Sequence, residues 1–372
     1  MKIGYDAKRA FLNTTGLGNY SRWLIRSVGS LFPENAYYLY TPKLKPGKQS
    51  FTGDLKNIST VVPRSKLFTG WWRSKGIVND LLRDEIDIYH GLSHELPVGI
   101  DKCGIKSVVT IHDLIFMRFP QYFSRINRMV YLLKVKHACA AAYKIIAISQ
   151  KTKDDIIELL KINANKIEVV YQGCHPAFAV PVEQERKNAV SKKFGLPPDY
   201  VLTVGTIEDR KNLMLLVKAM EYINSISLVV VGKPTPYLEK VKQYLTANHL
   251  TGKVLFLHNV EFADLLAIYQ QASVFAYPSR YEGFGIPVLE ALSAGVPVVA
   301  AKGSCLEEAG GPDSIYVDPN DERDLAGKIN CIIDDNELAQ HMIAQGRKYT
   351  ANFDDEKLTT QLMNIYKNLT HA

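Results

Sequence analysis

Two carboxylates frame the stretch with the densest chemistry, RYEGFGIPVLEALSA at residues 280–294. Glu282 and Glu290 stand eight positions apart, with Gly283, Phe284, Gly285 and Pro287 between them. Proline suits the first turn of a helix, where its missing N–H leaves no bond unmade. The pattern predicts a loop carrying Glu282, a helix beginning near Pro287, and Glu290 about one turn inside it. That spacing keeps the carboxylates off a common atom but lets them bracket a ligand running past the helix start. The glycines let the backbone approach closely, and the N–H groups at the positive end of a helix suit a diphosphate. A carboxylate accepts two hydroxyl hydrogen bonds from a ribose or a hexose. An ordinary helix start, with Glu290 on a solvated face, accounts for the same letters.

Three further segments carry candidate groups. In VLTVGTIEDRKNLMLLVKAM, a buried strand ends at Gly205, the loop holds Arg210 and Lys211, and a helix runs from about Asn212. Ligands of open α/β sheets sit at the carboxyl ends of strands. An arginine fork and a lysine point charge there would meet a diphosphate and stabilise it as a leaving group; two solvated loop cations are the alternative. In TTGLGNYSRWLIRSV, Gly16 and Gly18 form a turn into a helix with an apolar stripe at Tyr20, Leu24, Val28 and Leu31. This is a candidate phosphate or sugar nest, not a dinucleotide fingerprint, because Ser21 stands where a third glycine would be. In VVTIHDLIF, a strand ends at His112 and Asp113. His112 could bond a sugar hydroxyl or serve only as a satisfied structural histidine. His90, ending the run IDIYH, is a second strand-end histidine and a candidate lining residue.

These groups need a scaffold of strands. KIGYD, YYLYT, STVV, IDIYH, KSVVTIH, YKIIAIS and IEVVYQ recur before residue 172, and YVLTVG, SLVVVG, KVLFLH, SVFAYP and VPVVAA after 200. Short runs that are apolar at nearly every position suit parallel sheets covered on both faces. Alternation with helical patterns predicts an α/β chain of two Rossmann-like, doubly wound domains. The stretch at about 172–182 is rich in proline and lacks periodicity, so it reads as the linker. The expected domains are 1–174 and 175–354. FDDEKLTTQLMNIYKNLT near the end is an amphipathic helix that could pack on the second domain or cross back to the first.

Composition narrows the classes. At 372 residues the chain exceeds one ordinary domain. The net charge of +7 is uneven: residues 1–175 hold 26 Lys and Arg against 14 Asp and Glu, and the remainder 19 against 24. The basic half would suit nucleic acid, a membrane surface, a phosphate-bearing acceptor, or a solvated surface with no partner. RSKLFTGWWRSKGIVNDLLR joins Trp71 and Trp72 to Arg64, Lys66, Arg73 and Lys75, which reads as membrane contact or as a helix packed on its own domain. Cys103, Cys139, Cys174, Cys305 and Cys331 are scattered without a paired spacing, so neither a disulfide framework nor a metal site is expected. No D-x-D triplet and no His/Cys cluster offers a metal grip. The first residues lack an apolar signal region and no run is long enough to span a bilayer, so a cytoplasmic protein is expected.

In order and spacing, EGFGIPVLE, GTIEDRKN, GLG at 16–18, TIHD at 110–113 and AISQKT at 147–152 resemble the motifs of the family 4 retaining glycosyltransferases of GT-B fold. The resemblance covers nearly the whole chain. It implies two Rossmann-like domains facing across a cleft, acceptor domain first and donor domain second, with the closing helix at 355–372 returning to the first. It implies that Glu290 binds the donor ribose, and that Glu282 with Gly283 and the Phe284 and Gly285 backbone holds the donor sugar. Arg210 and Lys211, behind Gly205, would bind the diphosphate, and Gly16 and Gly18 would approach it from the other domain. His112, with His90 and Asp113, would face the acceptor. Catalysis would retain configuration without a metal or other cofactor, by front-face substitution. TIHDL is similar to the family's bacterial mannosyltransferases, which implies a GDP-sugar donor first and UDP-sugars next. The implied partners are a nucleotide sugar and a glycan or lipid-diphosphate-linked acceptor, with the basic half on the inner face of the plasma membrane and no nucleic acid. A sugar-nucleotide epimerase of similar fold, a glycogen-type phosphorylase and a non-catalytic glycan- or nucleotide-binding protein are the rival readings. The phosphorylase would want a pyridoxal lysine, which no motif announces.

Overall fold

Strands that are apolar on both faces need cover on both faces, and the chain supplies it with helices between successive strands. The structure, a computed structural model, describes residues 1–44, 50–53, 55–65, 67–223 and 226–370. The chain divides into two units, residues 1–172 with 354–372, and residues 173–353.

The first unit is built on β1 (Lys2–Asp6), β2 (Ala36–Tyr40), β3 (Ile58–Val61), β4 (Ile88–Gly91), β5 (Lys106–Ile111), β6 (Lys144–Ala147) and β7 (Ile167–Val169). They lie in the order β3-β2-β1-β4-β5-β6-β7, all parallel. Register is set by pairs such as Ile3 beside Ile88 and Ile146 beside Thr110. The strand order reverses between β1 and β4, and there Arg73 pairs with Asp6 at 2.5 Å and with Glu95. Two of the unit's long helices each bury one side. α1 (Gly16–Leu31) buries Tyr20, Leu24 and Val28 of the predicted stripe together with Ile25, while Leu31 at its end is exposed. α2 (Arg125–Ala141) starts at a Ser124 side-chain cap and buries Val135, Ala138 and Cys139.

The second unit repeats the scheme with β8 (Tyr200–Val204), β9 (Ser227–Val231), β10 (Val254–Leu257), β11 (Val274–Tyr277), β12 (Val298–Ala301) and β13 (Ile315–Val317). Their order is β10-β9-β8-β11-β12-β13, again all parallel. The strand-like runs anticipate all of these except β13. Its three residues, paired through Val299 to Ile315, are too short for a period to register. α3 (Leu213–Ala219) follows β8, α4 (Ile286–Ala294) follows β11, and α5 (Leu306–Gly310) follows β12. One core joins α3 to the strands through Leu216, Val217, Leu228, Val230 and Ala276.

The closing helix α6 (Asp355–Thr370) belongs to the first unit, where it buries Leu358, Leu362, Met363 and Tyr366. Trp23 Nε1 of α1 donates to Asp355 Oδ1 at 2.6 Å, and Gln361 Nε2 donates to the Val169 carbonyl at 2.8 Å. Deeper in, the Tyr366 hydroxyl lies 2.5 Å from His90 Nδ1, and His90 Nε2 lies 2.8 Å from Thr110 Oγ1. Thr110 Oγ1 is in turn 3.1 Å from the Tyr20 hydroxyl. This buried chain pins α6 to β4, β5 and α1.

Replacing Tyr366 by Phe leaves a buried ring nitrogen of His90 without its partner, and we expect a loss of about 1–3 kcal/mol. All three tryptophans, Trp23, Trp71 and Trp72, lie in the first unit. Their fluorescence during urea unfolding therefore reads this loss directly, with Gln361→Ala, on the exposed side, expected to lose less than about 1 kcal/mol.

Candidate active site

β8 and β11 are the neighbours at which the second sheet reverses its strand order, the place where open α/β sheets collect ligands. Their carboxyl ends run into the loops 205–212 and 278–285. After Gly205 the chain makes a short 3₁₀ turn, Asp209–Lys211, and Asn212 then takes the left-handed conformation at φ 58°. Asparagine tolerates that conformation better than most residues. Its Nδ2 donates to the Pro278 carbonyl at 3.1 Å and to the Pro319 carbonyl at 2.8 Å. The Arg280 amide donates to the Arg210 carbonyl at 2.9 Å. The two loops are thus tied backbone to backbone, and the helix expected from about Asn212 begins one residue later, at Leu213.

This tie brings Arg210, Lys211 and Glu282 together. Lys211 Nζ donates to Glu282 Oε1 at 2.9 Å, and Arg210 Nη1 reaches Glu282 Oε2 at 2.7 Å. Ser279 Oγ and the Tyr277 hydroxyl also donate to Oε1, at 2.8 and 3.1 Å. Arg210 is held further by Glu208 and the Tyr281 carbonyl, and Lys211 by the Tyr277 hydroxyl. Three of these contacts fall on Oε1 of Glu282 and one on Oε2. In this arrangement it anchors two cations, whereas the motif suggested a carboxylate facing sugar hydroxyls. Burial works against the charge on Glu282, but Lys211 and Arg210 outweigh it and hold its carboxyl down at about 2. Burial likewise opposes the charges on Lys211 and Arg210, and Glu282 outweighs it, so both are raised.

Beyond the cluster the chain turns into α4. Gly285, the residue before the helix, sits at φ +127°, and a Cβ on it would stand 2.8 Å from a methyl of Leu306 on α5. Only glycine fits that turn against that neighbour. Pro287 takes the first turn as expected. The Phe284 ring is buried against Phe353, so this residue offers a ligand only its backbone, and Gly283 lies half-buried between Glu282 and Phe284. Cys305 Sγ donates to the Glu282 carbonyl at 3.0 Å, fixing the same turn from α5's side. Glu290 lies half-buried inside α4, and its Oε2 accepts from the Tyr269 hydroxyl at 2.8 Å. Burial raises its carboxyl to about 7, against the pull of that hydroxyl.

In the first unit His112 directly follows β5 and is buried. Its Nε2 lies 2.8 Å from the Leu92 carbonyl, which can only accept, so Nε2 carries the proton and Nδ1 is the acceptor. Burial and His94 lower it to about 3, so the ring is neutral at physiological pH. Asp113 Oδ1 accepts from the Ile115 amide at 3.0 Å and starts the next helical turn. The expectation for His90 is corrected. Its ring is fully buried with both nitrogens engaged by Tyr366 and Thr110, so it is a core histidine and lines nothing. The histidine beside His112 is His94 from the same segment, at a centroid distance of 5.3 Å and with φ +62°. Gly16 and Gly18 also differ from the expected turn, since both lie within the first turn of α1. A Cβ at Gly18 would stand 2.0 Å from the Asn13 carbonyl oxygen, so that close approach is to the chain's own loop.

Sequence reasoning missed Tyr277, Ser279, Tyr269, His94 and Cys305. The first two were visible as YPS directly ahead of the motif, where a strand end must aim its polar groups at the same place as the following loop. Among the described residues, no group of three or more His, Cys, Asp or Glu is placed to hold a metal ion. Chemically, the second-unit site offers two fixed cations, a helix start and a carboxylate of near-neutral affinity for protons.

Residues 37–178 match the family described as Glycosyltransferase Family 4, and residues 184–349 match Glycosyl transferases group 1. The chain is 28% identical over 385 residues to O-antigen chain mannosyltransferase B of Escherichia coli, covering 99% of this chain and 100% of that one. It is 26% identical over 260 residues to O-antigen chain mannosyltransferase RfbU of Salmonella typhimurium, covering 70% of this chain and 69% of that one. Among solved structures, a glycosyltransferase from Rickettsia africae superposes with a TM-score of 0.78 at 19% identity, covering 99% of this chain and 98% of that one. Anabaena Alr3699/HepE in complex with UDP and glucose superposes with a TM-score of 0.76 at 18% identity, covering 99% and 100%. These likenesses give the fold as GT-B, with two parallel-sheet Rossmann-like domains.

The charge cluster has a pH signature. Glu282→Gln leaves Lys211 without its carboxylate and Arg210 with Glu208 alone, and we expect a loss of about 2–4 kcal/mol at neutral pH. In the parent, the Glu282 carboxyl is held at about 2 against an ordinary 4.5, so its contribution is complete above 4.5 and drains away as pH falls towards 2. Glu290 acts in the opposite sense: raised to about 7, it contributes most below 4.5 and loses that contribution as pH rises from 4.5 through 7. Urea unfolding followed by circular dichroism across pH should lose the acid limb of this dependence in Glu282→Gln and the near-neutral limb in Glu290→Gln.

Proposed function

The chain belongs to the glycosyltransferases of family 4 and group 1, and from that premise we propose that it moves mannose from a nucleotide sugar, GDP-mannose ahead of the UDP-sugars, to a glycan or lipid-diphosphate-linked oligosaccharide in cell-surface polysaccharide synthesis. The observation that carries the reading is the pairing of Arg210 and Lys211 at the reversal point of the second sheet, one loop away from a helix start. In sugar transfer the bond from the anomeric carbon to the diphosphate oxygen breaks, and its electron pair stays on the diphosphate. Two fixed cations placed for that oxygen stabilise the charge as it forms. The acceptor hydroxyl oxygen bonds the anomeric carbon on the same face, and its proton leaves with the departing phosphate. With two cations supplied by the chain, the reaction proceeds without a metal ion.

The remaining groups take roles from their geometry. Glu282 acts as a positioning residue that keeps Arg210 and Lys211 side by side. The Gly283–Gly285 backbone ahead of α4 is the surface on which the donor's phosphates and sugar rest. Glu290, ionised, accepts the two ribose hydroxyls. The acceptor nitrogen Nδ1 of His112 takes a hydroxyl of the acceptor sugar, with Asp113 beside it. Mannose as the sugar is supported by relatives named as mannosyltransferases.

A thermal-shift panel of GDP, UDP, ADP and their sugar conjugates tests the reading, with GDP and GDP-mannose expected to stabilise most and EDTA to change nothing. No response to any nucleoside diphosphate would overturn it. Arg210→Ala and Lys211→Ala should each lower kcat by about 10²–10³ in transfer from GDP-mannose. Nucleoside diphosphate affinity should weaken as pH falls through about 7, because a protonated Glu290 loses acceptor capacity. In Glu290→Gln that pH dependence should vanish, as read by calorimetric titration at several pH values.

A further inference from the structure

The first sheet has a reversal point of its own, between β1 and β4, and open α/β sheets collect ligands at such points. The chain leaves β1 into the short helix Lys8–Leu12 and leaves β4 into the segment 92–98. Two of the cations gathered there are answered by carboxylates. Arg73 pairs with Asp6 and with Glu95, and Lys134 reaches Glu95 at 3.1 Å. Lys8 and Arg9 are not answered. Both are half-buried, and neither side chain has an ion pair or a hydrogen bond among the described residues. Burial, followed by the charge of Arg73, holds the Lys8 ammonium below its ordinary proton affinity, against the attraction of Glu95. Asp113, the carboxylate beside His112, accepts from the Ile115 amide instead.

Two polar atoms of the same corner are buried without a partner among the described residues, the Nε of Arg9 and the hydroxyl of Ser93. Ser93 as a whole is 3% exposed. Buried donors left unmade are costly and uncommon, so a pair of them in one corner needs a reason. His94 follows Ser93 at φ +62°, in the left-handed region, and its amide donates to the Thr110 carbonyl at 3.0 Å. Backbone held in that region away from glycine gathers at functional sites. Arg9 lies close to both histidines of this corner, and its charge adds to burial in lowering the proton affinity of His94 and of His112.

We propose that Lys8, Arg9, Ser93 and His94 form an oxyanion site beside His112, and that the accepting sugar itself carries the oxyanion, as a carboxylate or a phosphate. The corner offers an ammonium, a guanidinium fork and a hydroxyl, all able to donate, and charge-assisted bonds to an oxyanion are the strong ones. A neutral sugar would leave both positive charges unanswered. The site stands on the geometry of the first unit, and that its ligand is the acceptor rests on the transferase reading. In that reading Nδ1 of His112 takes a hydroxyl of the acceptor sugar. Arg9 acts on the same ring, so the anion and that hydroxyl belong to one sugar residue. A diphosphate at the far end of an oligosaccharide lies beyond that reach.

Calorimetric titration of the full chain tests the site, with GDP present to occupy Arg210 and Lys211. The probes are methyl α-mannopyranoside, methyl glucuronide, mannose 6-phosphate and inorganic pyrophosphate. At least one of the two acidic sugars should bind about tenfold or more tightly than the neutral mannoside, and the tighter of them names the oxyanion as carboxylate or phosphate. Arg9→Gln and Lys8→Gln should each weaken that binding by about tenfold without changing the GDP response. Ser93→Ala, a milder change, should weaken it by a smaller factor. Because Lys8 has burial and like charge against it, Lys8→Gln should keep or raise the thermal midpoint of the ligand-free chain, whereas a lysine serving only the fold would lower it. Equal binding of the three sugars, or full binding of the acidic sugars in both cation variants, would overturn the proposal. So would binding of pyrophosphate alone, or a lowered midpoint in Lys8→Gln. Failure of GDP to bind the parent would count against the transferase reading and leave the oxyanion site to its own probes.

Discussion

Arg210 and Lys211 repel each other, and a largely buried loop holds them side by side only because Glu282 lies between them. That constraint reaches outward in both directions. Towards the sheet, Tyr277 and Ser279 must end β11 with their hydroxyls on the same carboxylate oxygen, and Asn212 must take a left-handed conformation to clamp one loop to the other. Towards α4, the carbonyl of Glu282 is held by Cys305, and the turn at Gly285 closes on Leu306. The parallel sheet makes this possible, because reversing strand order between β8 and β11 leaves two strand ends adjacent with their loops diverging.

The charge cluster of the second unit and the histidines of the first are held by different means. In the second, opposite charges compensate one another, and the carboxyl of Glu282 is driven down while the two cations are driven up. In the first, His90, His94 and His112 are kept neutral by burial, and hydrogen bonds to Tyr366, Thr110 and the Leu92 carbonyl hold the His90 and His112 rings in place. A neutral imidazole with a defined acceptor nitrogen suits hydroxyl recognition, and a charge cluster suits a diphosphate. The group with a proton affinity near neutrality in the second-unit site is Glu290, which burial, not a neighbouring charge, has placed there.

The uneven charge of the chain acquires a location in the structure. Part of the excess of cations in the first half lies along α2 and the segment 64–75, on the edges of an exposed apolar stripe. A solvated surface would not need Ile126, Met129 and Leu133 facing out. A packed interior would not border them with lysine and arginine.

The sequence by itself determined every strand but β13, because apolar runs with β-branched residues have few other uses, and it determined the second-unit loops, because Gly285, Pro287 and the neighbouring cations are locally encoded. Gly195 ends its helix at φ 62°, in the left-handed capping conformation that suits glycine. The sequence also determined the amphipathic closing helix but not what that helix touches. Tertiary structure alone decided the partners. Glu282 was legible as a carboxylate in the loop before a helix, yet its pairing with Arg210 and Lys211 depends on bonds spanning about seventy residues of chain. His90 and His94 are four letters apart and chemically identical, and Trp71 and Trp72 are adjacent. Which tryptophan is buried, and which histidine neighbours His112, depends on how each strand or turn faces the sheet interior, and long-range packing fixes that orientation. Local pattern names the groups and the elements that carry them. Burial and hydrogen-bond satisfaction, which belong to the assembled fold, decide which groups remain to act.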